Sequence, residues 1–329
     1  MWYTKSGKVG DIVLSSRVRL ARNAKDIPFG NKITKEQENE IAEKCKKALK
    51  DLKYIELNPM SETEKTSLLE QHIISSDMLG NEKRKAILIN SDSTVSVMLG
   101  EEDHIRIQCM APGFDLDGCK KEADKIDDML EEEIEYGFSE QFGYLTCCPT
   151  NVGTGMRASV MVHLPALVMS EKINGLMNAL SKLGFAVRGI YGEGSRALGN
   201  IFQISNQVTL GSSEEEIIQK MKQTIAEVCE KEREAAKKLY EQNKYRLEDR
   251  VMRSFGTLKN AVIMSSKEGM SLISDLRFGV KLGIIKDISY EKINEIMYAI
   301  LPATLTKNNN IMSAAERDIK RAEVIKEML

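Results

Sequence analysis

The chain has 329 residues, of which 42% are hydrophobic and 29% are charged, and its formal net charge is −2. This length and balance predict a soluble globular protein of about two domains with a core that needs no disulfides. The charge argues against bulk attraction to nucleic acid or membranes, and no apolar run reaches the roughly 18 residues of a membrane span. With three histidines and six cysteines that lack zinc-like spacing, we expect no metal site built from protein ligands and a cytoplasmic location.

The first half of the chain carries both strand and helix patterns. Strict alternation ahead of residue 23 predicts a strand with Arg17 and Arg19 on one face. Capping-box patterns that begin at Thr34 and Ser61 predict two helices. Short polar connections then favour antiparallel pairing of three strand candidates. These candidates are Ala86–Asn90, Thr94–Leu99 and His104–Met110.

The second half continues this mixture and then becomes helical. We predict a helix from about Asp115 to Tyr136 with Gly137 as its C-cap, and another over roughly 166–183. Further strand candidates are Tyr144–Cys147, Ser159–His163, Ala186–Ile190 and Ile201–Leu210. A capping box at Ser213 opens a long charged helix, after which strand signals stop. The prediction is an α+β domain with an antiparallel sheet flanked by helices over residues 1–245, and a smaller helical C-terminal domain over residues 246–329.

Five arginines lie on strand faces or beside glycine-rich turns, where charge is structurally inconvenient. They are Arg17, Arg19, Arg106, Arg157 and Arg188. Any one of them alone is explained by a surface carboxylate partner. Together they favour a surface that binds a polyanion, since guanidinium groups offer permanently charged, bidentate donors to phosphate oxygens. A triphosphate with magnesium is the obvious candidate, and because no P-loop or kinase glycine loop is present, side chains would have to grip it.

Four segments resemble, in family order, the signature blocks of the phosphagen (guanidino) kinases. They are SSRVRLARN at 15–23, EEDHIRIQ at 101–108, CPTNVGTGMR at 148–157 and RGIYGEGS at 188–195. The resemblance implies a phosphagen-kinase-like catalytic domain that uses ATP, with Mg²⁺ bound through the nucleotide phosphates. The chain begins almost directly at this domain and has an extra C-terminal segment, which resembles the bacterial protein arginine kinases. That likeness implies arginine-containing protein substrates, an activator protein, protease or chaperone machinery in protein quality control or the stress response, and a homo-oligomer.

The same resemblance implies roles for individual residues. Glu102 and Glu193 match the carboxylates that hold the substrate guanidinium, and Cys148 matches the reactive thiol. An arginine side chain is too basic to be a nucleophile unaided, so a base must take its proton. We expect Glu102 to be that base, because a strand end is held more rigidly than a glycine loop, and Glu193 to act as clamp and lid. His72 matches a histidine near the nucleotide base. The implied nucleotide-binding positions are Ser15, Ser16, Arg17, Val18, Arg19, His72, Arg106, Arg157, Ala158, Ser159, Val160, Met161, Arg188, Gly189, Ile190, Tyr191 and Gly192.

The C-terminal segment RDIKRA resembles the RDxxRA motif of the protein arginine kinases. The resemblance implies an allosteric phosphoarginine-binding site made of Arg317, Asp318 and Arg321. Asp318 would accept from the guanidinium, and Arg317 or Arg321 would receive the phosphate. The residues alone equally fit a solvated helix that begins at Ser313 and carries an Asp318–Arg321 pair.

Two other functions stay open at this point. One is a kinase for a small free guanidino compound, which the absence of the N-terminal helical domain of creatine and arginine kinases argues against. The other is a non-catalytic phosphoarginine reader or adaptor, which would require broken catalytic positions. Both glutamates, the cysteine and all five arginines are present, so we favour transfer of the γ-phosphate of ATP to arginine side chains in proteins.

Overall fold

The computed structural model describes residues 1–80, 83–189, 198–310 and 313–329, apart from the side chain of Asn31. Its framework is a single antiparallel sheet of eight strands in the order β2-β3-β4-β5-β1-β8-β10-β9, beside a small hairpin of β6 and β7. The strands are β1 Val13–Arg22, β2 Lys53–Glu56, β3 Ala86–Ile89, β4 Val95–Leu99, β5 Ile105–Pro112, β6 Phe138–Ser139, β7 Gly143–Tyr144, β8 Met156–His163, β9 Phe185–Arg188 and β10 Ile201–Asn206. The predicted α+β class with an antiparallel sheet is confirmed.

Helices cover the sheet and form the end of the chain. They are α1 Lys35–Ala48, α2 Glu62–Glu70, α3 Leu116–Glu131, α4 Pro165–Met169, α5 Ile173–Lys182, α6 Glu214–Asn260, α7 Ser266–Lys281, α8 Tyr290–Ala299, α9 Pro302–Asn309 and α10 Ala314–Met328. Reciprocal capping boxes begin four of them, at Thr34, Ser61, Ser213 and Ser313. Each hydroxyl accepts from the backbone N–H three residues on, which satisfies donors that the helix leaves unpaired.

Several predicted boundaries are wrong for local reasons. The helix expected to reach Tyr136 ends at Glu131, and Gly137 is not its cap but donates its N–H to the carbonyl of Asn23 at 2.8 Å. The single helix expected over 166–183 is broken between α4 and α5, where Glu171 adopts a left-handed φ of 58°. Strand β2 was not predicted, because its four residues are only partly buried and carry no clear alternation.

Three hydrophobic cores lie on the sheet, and the smallest packs Ile73, Ile74 and Met78 against strands β3 and β4. The largest one packs β1, β5 and β8 against α1, α3 and α6. The second is formed by α7, α8 and α10 and takes in Leu14, Met161 and Ile201 from the sheet. Helix α6 is continuous across residue 245 and is kinked at Asn243, so the division into domains at that residue stays a prediction.

The helices and cysteines give two further facts about the molecule. Among the residues that the structure describes, no helix combines the length and apolar character needed to cross a membrane. All six cysteines are free thiols, four of them buried, with Cys147 exposed and Cys148 partly exposed.

Candidate active site

The pairing of the central strands gathers the predicted arginines on one face of the sheet. Arg17 and Arg19 are two residues apart on β1 and therefore share a face. Arg19 lies opposite Arg157 on β8, and β5 carries Arg106 on the other side of β1. Arg188 on β9 completes the row. All five line one cleft of about 730 Å³, so the predicted polyanion surface is brought together in space.

The arginines on β1 and β8 have few anionic partners. Arg17 donates to the hydroxyl of Ser159 at 3.1 Å and to the amide oxygen of Gln203 at 2.9 Å, both uncharged groups. Burial, together with the charges of Arg106 and Arg157, lowers the pKa of Arg17 to about 10. Burial and neighbouring arginines also lower the pKa values of Arg19 and Arg157. A lowered pKa near 10 still leaves the guanidinium charged at neutral pH, so this part of the cleft holds excess positive charge.

Two hydrogen-bond donors at the bottom of the cleft lack a partner. The Nε–H groups of Arg19 and Arg157 are buried, and neither finds an acceptor among the described residues. A buried unpaired donor is costly, so such groups in a cleft indicate that a bound molecule supplies the acceptor. Phosphate oxygens, which accept strongly and carry negative charge, suit both the donors and the surrounding charge.

The acidic side of the cleft is the turn between β4 and β5. Glu102 has a side chain 36% exposed and accepts from Arg106 at 2.6 Å and from Asn151 at 3.1 Å. Its neighbour Glu101 is buried, forms an ion pair with Arg106 at 2.7 Å and accepts from the Ser75 hydroxyl. Burial alone would lower the pKa of Arg106, but these carboxylates outweigh it and raise the pKa. The positive charge of Arg106 is thus balanced by these carboxylates, and its guanidinium holds Glu102 at the mouth of the cleft.

A buried polar network fixes this turn against the loop that carries the cysteines. One carboxylate oxygen of Asp103 accepts from the amide of Asn23 and from the backbone N–H of Cys147, both at 2.7 Å. Asn23 in turn accepts from the backbone N–H of His104 at 2.8 Å. Because both loops hold the same Asp–Asn pair, Glu102 and the cysteine loop keep a fixed separation.

The two adjacent cysteines have different surroundings. Cys148 lines the cleft, and its Sγ lies 3.0 Å from the hydroxyl of Thr150. Cys147 is an exposed residue outside the cleft. Partial loss of solvent around its sulfur and the nearby carboxylates of Asp103 and Glu102 raise its pKa. Only Cys148 is therefore placed to act in the cleft.

His72 forms part of the opposite wall, just after the end of α2. Its backbone adopts a left-handed φ of 57°, and its carbonyl accepts from the Gln108 amide at 2.8 Å. Burial and the nearby Arg17 lower the pKa of His72 to about 3, so the ring is neutral at pH 7. The ring meets Tyr298 of α8 edge-on, with centroids 6.2 Å apart. A flat neutral ring in this position suits a nucleotide base.

The C-terminal helices brace this wall. The Glu70 carboxylate accepts from the backbone N–H groups of Ala303 and Thr304, both at 2.8 Å, at the start of α9. A carboxylate at a helix N-terminus satisfies orphan donors and complements the helix dipole. Helix α2, and with it the approach to His72, is therefore fixed to the C-terminal region.

Some predicted nucleotide contacts lie elsewhere. The side chains of Val18, Ala158 and Val160 are buried in the largest core, and the Ser16 hydroxyl donates to the carbonyl of Gly113 at 2.9 Å. Their side chains face away from the cleft, because alternate residues of a strand face opposite sides of the sheet and a contiguous motif mixes both faces. Nucleotide binding at these positions stays a prediction. Ser159 faces the cleft, where it holds Arg17.

Other predicted positions lie at the ends of these strands. Ser15 and Met161 are buried opposite one another in the β1–β8 pair, and Met161 packs in the C-terminal core, away from the cleft lining. Gly189 is buried directly after Arg188. The predictions for Ile190, Tyr191, Gly192 and the carboxylate of Glu193 lie outside the described residues.

The predicted phosphoarginine site is on α10. Asp318 and Arg317 are partly exposed. Arg321 is 1% exposed, donates from Nε to the Ile300 carbonyl at 3.0 Å and from Nη1 to the Met264 carbonyl at 2.8 Å, and pairs with Asp318. The expectation that Arg321 receives a phosphate does not fit this burial, because its donors already join α10 to neighbouring loops.

Three residues of the site were not singled out from the sequence. Gln203 holds Arg17, Asn151 holds Glu102, and Glu101 neutralises Arg106. Asn151 and Glu101 lie inside the signature motifs, and this position could have identified them as site residues. Gln203 had none, because only strand pairing brings it beside the arginines. Within the described residues, no group of three or more His, Cys, Asp or Glu side chains is arranged to hold a metal ion.

Comparison with known proteins bears on the whole chain. Residues 32–235 match the family model "ATP:guanido phosphotransferase, C-terminal catalytic domain", and residues 244–329 match "Protein-arginine kinase McsB C-terminal domain". A protein-arginine kinase from Caldanaerobacter subterraneus subsp. tengcongensis is 48% identical over 328 residues, which cover 97% of each chain. One from Bacillus pumilus is 47% identical over 337 residues, covering 100% of this chain and 93% of that one.

Solved structures show the same fold over about two thirds of this chain. The duplicated taurocyamine kinase from Schistosoma mansoni, with bound transition state analog components, superposes with a TM-score of 0.61 and 27% identity, over 69% of this chain and 34% of that one. Lombricine kinase gives a TM-score of 0.59 and 25% identity, over 68% and 66% of the two chains. The cleft geometry and these similarities lead to one assignment: the chain belongs to the ATP:guanido phosphotransferase family and, within it, to the protein-arginine kinases.

Proposed function

We propose that this protein transfers the γ-phosphate of ATP to arginine side chains in proteins. One observation carries the proposal: five arginines on one sheet face, two with unpaired buried Nε–H groups, adjoin a half-exposed glutamate and a thiol. The arginines suit a triphosphate, and the carboxylate suits a guanidinium. The full-length similarity to protein-arginine kinases supports arginine in proteins as the acceptor.

ATP fits the charge and the donors of the cleft. Arg19 and Arg157 would donate their unpaired Nε–H groups to phosphate oxygens, and Arg17 and Arg188 would add charge that compensates the triphosphate. His72 would lie against the base. Mg²⁺, bound through the nucleotide phosphates, would neutralise part of their charge.

Glu102 would activate the acceptor. An arginine guanidinium is protonated at neutral pH and has no free lone pair, so it must lose a proton as it attacks. Glu102 would take that proton while the nitrogen–phosphorus bond forms and the bond between the γ-phosphorus and the ADP oxygen breaks. General base catalysis of this kind typically contributes about 100- to 10,000-fold, or roughly 3–5 kcal/mol. Cys148 would add a polar group beside the guanidinium, and Glu193 would provide the second carboxylate.

Acid-labile phosphate on protein tests the activity directly. The protein is incubated with magnesium-ATP and reduced, carbamidomethylated lysozyme, and in parallel with free arginine. We expect a ³¹P signal of an N–P bond on the unfolded protein that is lost in acid and stable in alkali. Transfer to free arginine alone would assign a small-molecule kinase instead. No transfer to either, together with binding of phosphoarginine, would assign a reader.

We further propose that Arg317 and Asp318 bind phosphoarginine at a separate site on α10. Asp318 is partly exposed and would accept from the guanidinium, and Arg317 would receive the phosphate. Calorimetric titration of phosphoarginine into wild type and Arg317→Ala tests this proposal. Equal affinities would remove Arg317 from the site.

The same family membership supports a proposal for the setting of the enzyme. We propose a cytoplasmic, homo-oligomeric enzyme that marks proteins in quality control or the stress response, together with an activator protein and protease or chaperone machinery. The six free thiols are consistent with a reducing compartment. Light scattering of the purified protein and recovery of phosphoarginine-bearing proteins from stressed cells test these points.

A further inference from the structure

An apolar and acidic surface adjoins the cleft on the outer side of the cysteine loop. It consists of the β6–β7 hairpin with the acidic segment before it (residues 131–144) and the turn at Leu210, and we call it the hairpin surface. Phe138 is 59% exposed, Phe142 is 46% exposed and Leu210 is 49% exposed. These three side chains line one shallow groove together with Tyr144. Exposed aromatic side chains that share a groove are typical of an interaction site.

The hairpin surface is held firmly in place. The backbone N–H of Tyr144 donates to the carbonyl of Gly153 at 2.8 Å. The Thr209 hydroxyl contacts the carbonyls of Thr150 and Val152 at 3.0 and 2.6 Å. The guanidinium of Arg22 stacks 3.5 Å over the Tyr144 ring. The exposed phenylalanines are therefore presented on a braced frame.

The same loop connects the hairpin surface to the cleft. Residues 149–155 face the hairpin through Gly153 and Thr154, and face the cleft through Thr150 and Asn151. Asn151 donates to Glu102 at 3.1 Å. A polypeptide whose arginine enters beside Glu102 must pass over the rim of the cleft, and this loop forms part of that rim.

The charged residues of the hairpin segment are all acidic. Residues 131–144 contain five glutamates and no lysine or arginine. Two of these glutamates are paired, Glu133 with Lys47 and Glu135 with Lys25. Glu131, Glu132 and Glu140 are exposed. Acidic groups beside aromatic side chains complement a chain that carries both basic and apolar residues.

We infer that the hairpin surface binds the polypeptide that flanks the target arginine, as an extended unfolded segment rich in basic and apolar residues. This inference rests on the proposed function. In a folded protein apolar side chains are mostly buried, so a surface that needs basic and apolar groups together selects unfolded chains. Phe138, Phe142 and Leu210 would bind the apolar side chains, and the glutamates would attract the basic ones.

Paired variants test the assignment in the full-length protein. Phe138→Ser with Phe142→Ser removes the aromatic anchors, and Glu131→Lys with Glu132→Lys reverses the charge. The matched controls are Val262→Ser with Ile263→Ser, which are 70% and 62% exposed in another part of the molecule, and Glu227→Lys with Glu230→Lys on the exposed side of α6. Binding of fluorescently labelled, carbamidomethylated lysozyme is measured by anisotropy, and its phosphorylation by the N–P signal. Circular dichroism and ATP affinity show that each variant is folded.

We expect the aromatic variant to weaken binding of the unfolded protein at least about tenfold, as loss of two aromatic anchors commonly does, and to raise KM with little change in kcat. The charge variant should weaken binding and reduce its dependence on salt. The controls should match wild type. Wild-type binding and KM in both hairpin variants would overturn the inference while leaving the proposed function intact. A wild type that phosphorylates no protein would instead refute the proposed function. A change in oligomer mass in the aromatic variant, with unchanged binding, would assign the surface to contacts between copies.

Discussion

The cleft and the C-terminal helices both bury arginine side chains, but Arg19 and Arg157 in the cleft are buried differently from Arg321 on α10. The guanidinium of Arg321 donates to two backbone carbonyls and to Asp318, and so joins α10 to its neighbours. In the cleft, Arg19 and Arg157 lie beside other arginines with their Nε–H groups unpaired. The comparison teaches that burial of an arginine alone does not mark a site. Spare donors mark a site where several of them and several uncompensated charges are gathered in one open cleft.

Replacement of the Glu102 carboxylate, the proposed base, should give the largest effect. Glu102→Gln keeps the size of the side chain but removes the proton acceptor. We expect phosphoryl transfer to fall by about 100- to 10,000-fold, with ATP affinity changed little because the cleft arginines remain. Quenched-flow measurement of phosphoarginine and calorimetric titration of ATP give the two numbers. Glu227→Gln, on an exposed face of α6, serves as control. Equal losses of transfer and ATP affinity would contradict the role of Glu102 as base.

Removal of a cleft arginine should weaken the binding of ATP without lowering the stability of the protein. In Arg157→Ala we expect the Kd for ATP to rise by about 10- to 100-fold, which corresponds to one charged hydrogen bond of roughly 1.5–3 kcal/mol. The melting temperature should not fall, because the change relieves repulsion from Arg188 and Arg106. Arg253→Ala, 79% exposed on α6, should leave both values unchanged. A large loss of stability with unchanged ATP affinity would make Arg157 a structural residue.

Removal of Arg321 should lower the stability of the protein without changing its affinity for ATP. Arg321→Ala leaves the carbonyls of Ile300 and Met264 without their donor, and we expect the free energy of unfolding to fall by about 3 kcal/mol. The affinity for ATP, measured at a temperature where the variant is folded, should match wild type. Chemical denaturation provides the stability, with Lys320→Ala as the neighbouring surface control. A stable variant would show that the donors of Arg321 are free for a ligand.

The sequence predicted the membership of the cleft better than its architecture. Alternation in β1 was enough to place Arg17 and Arg19 on one face. It could not show that Arg19 faces Arg157, because register between strands distant in sequence depends on the whole sheet. For the same reason the role of Gln203 was not visible.

Differences between the sequence predictions and the structure have equally local causes. Val18 and Ala158 stand inside signature motifs, yet strand alternation turns their side chains into the core. The break after α4 depends on the left-handed backbone at Glu171, a residue that carries no turn signal. The burial of Arg321 required knowledge of how α10 packs.

Replacement of His72, which lines the cleft, should give the smallest effect. In the folded protein the pKa of His72 is about 3, below the usual 6.5. Between pH 6.5 and pH 3 the unfolded chain therefore binds a proton at this residue that the folded protein does not bind. Stability from this group is therefore complete above pH 6.5 and is lost as the pH falls toward 3. The free energy of unfolding of the wild type should fall between pH 7 and pH 5. In His72→Gln this fall should be smaller by about 1 kcal/mol, allowing for partial solvent screening. Denaturation curves at both pH values check this. An unchanged difference would mean that His72 titrates normally.

The central claim is that the unpaired donors of the cleft bind phosphate, whereas the paired ones elsewhere hold the fold. NMR of the ¹⁵Nε–H groups of arginine, with Arg19, Arg157 and Arg321 identified by lysine substitution, tests both halves in one titration with magnesium-ATP. The account predicts that the Arg19 and Arg157 signals shift and exchange more slowly with water, while the Arg321 signal does not move. Unmoved Arg19 and Arg157 signals at saturating nucleotide would contradict it.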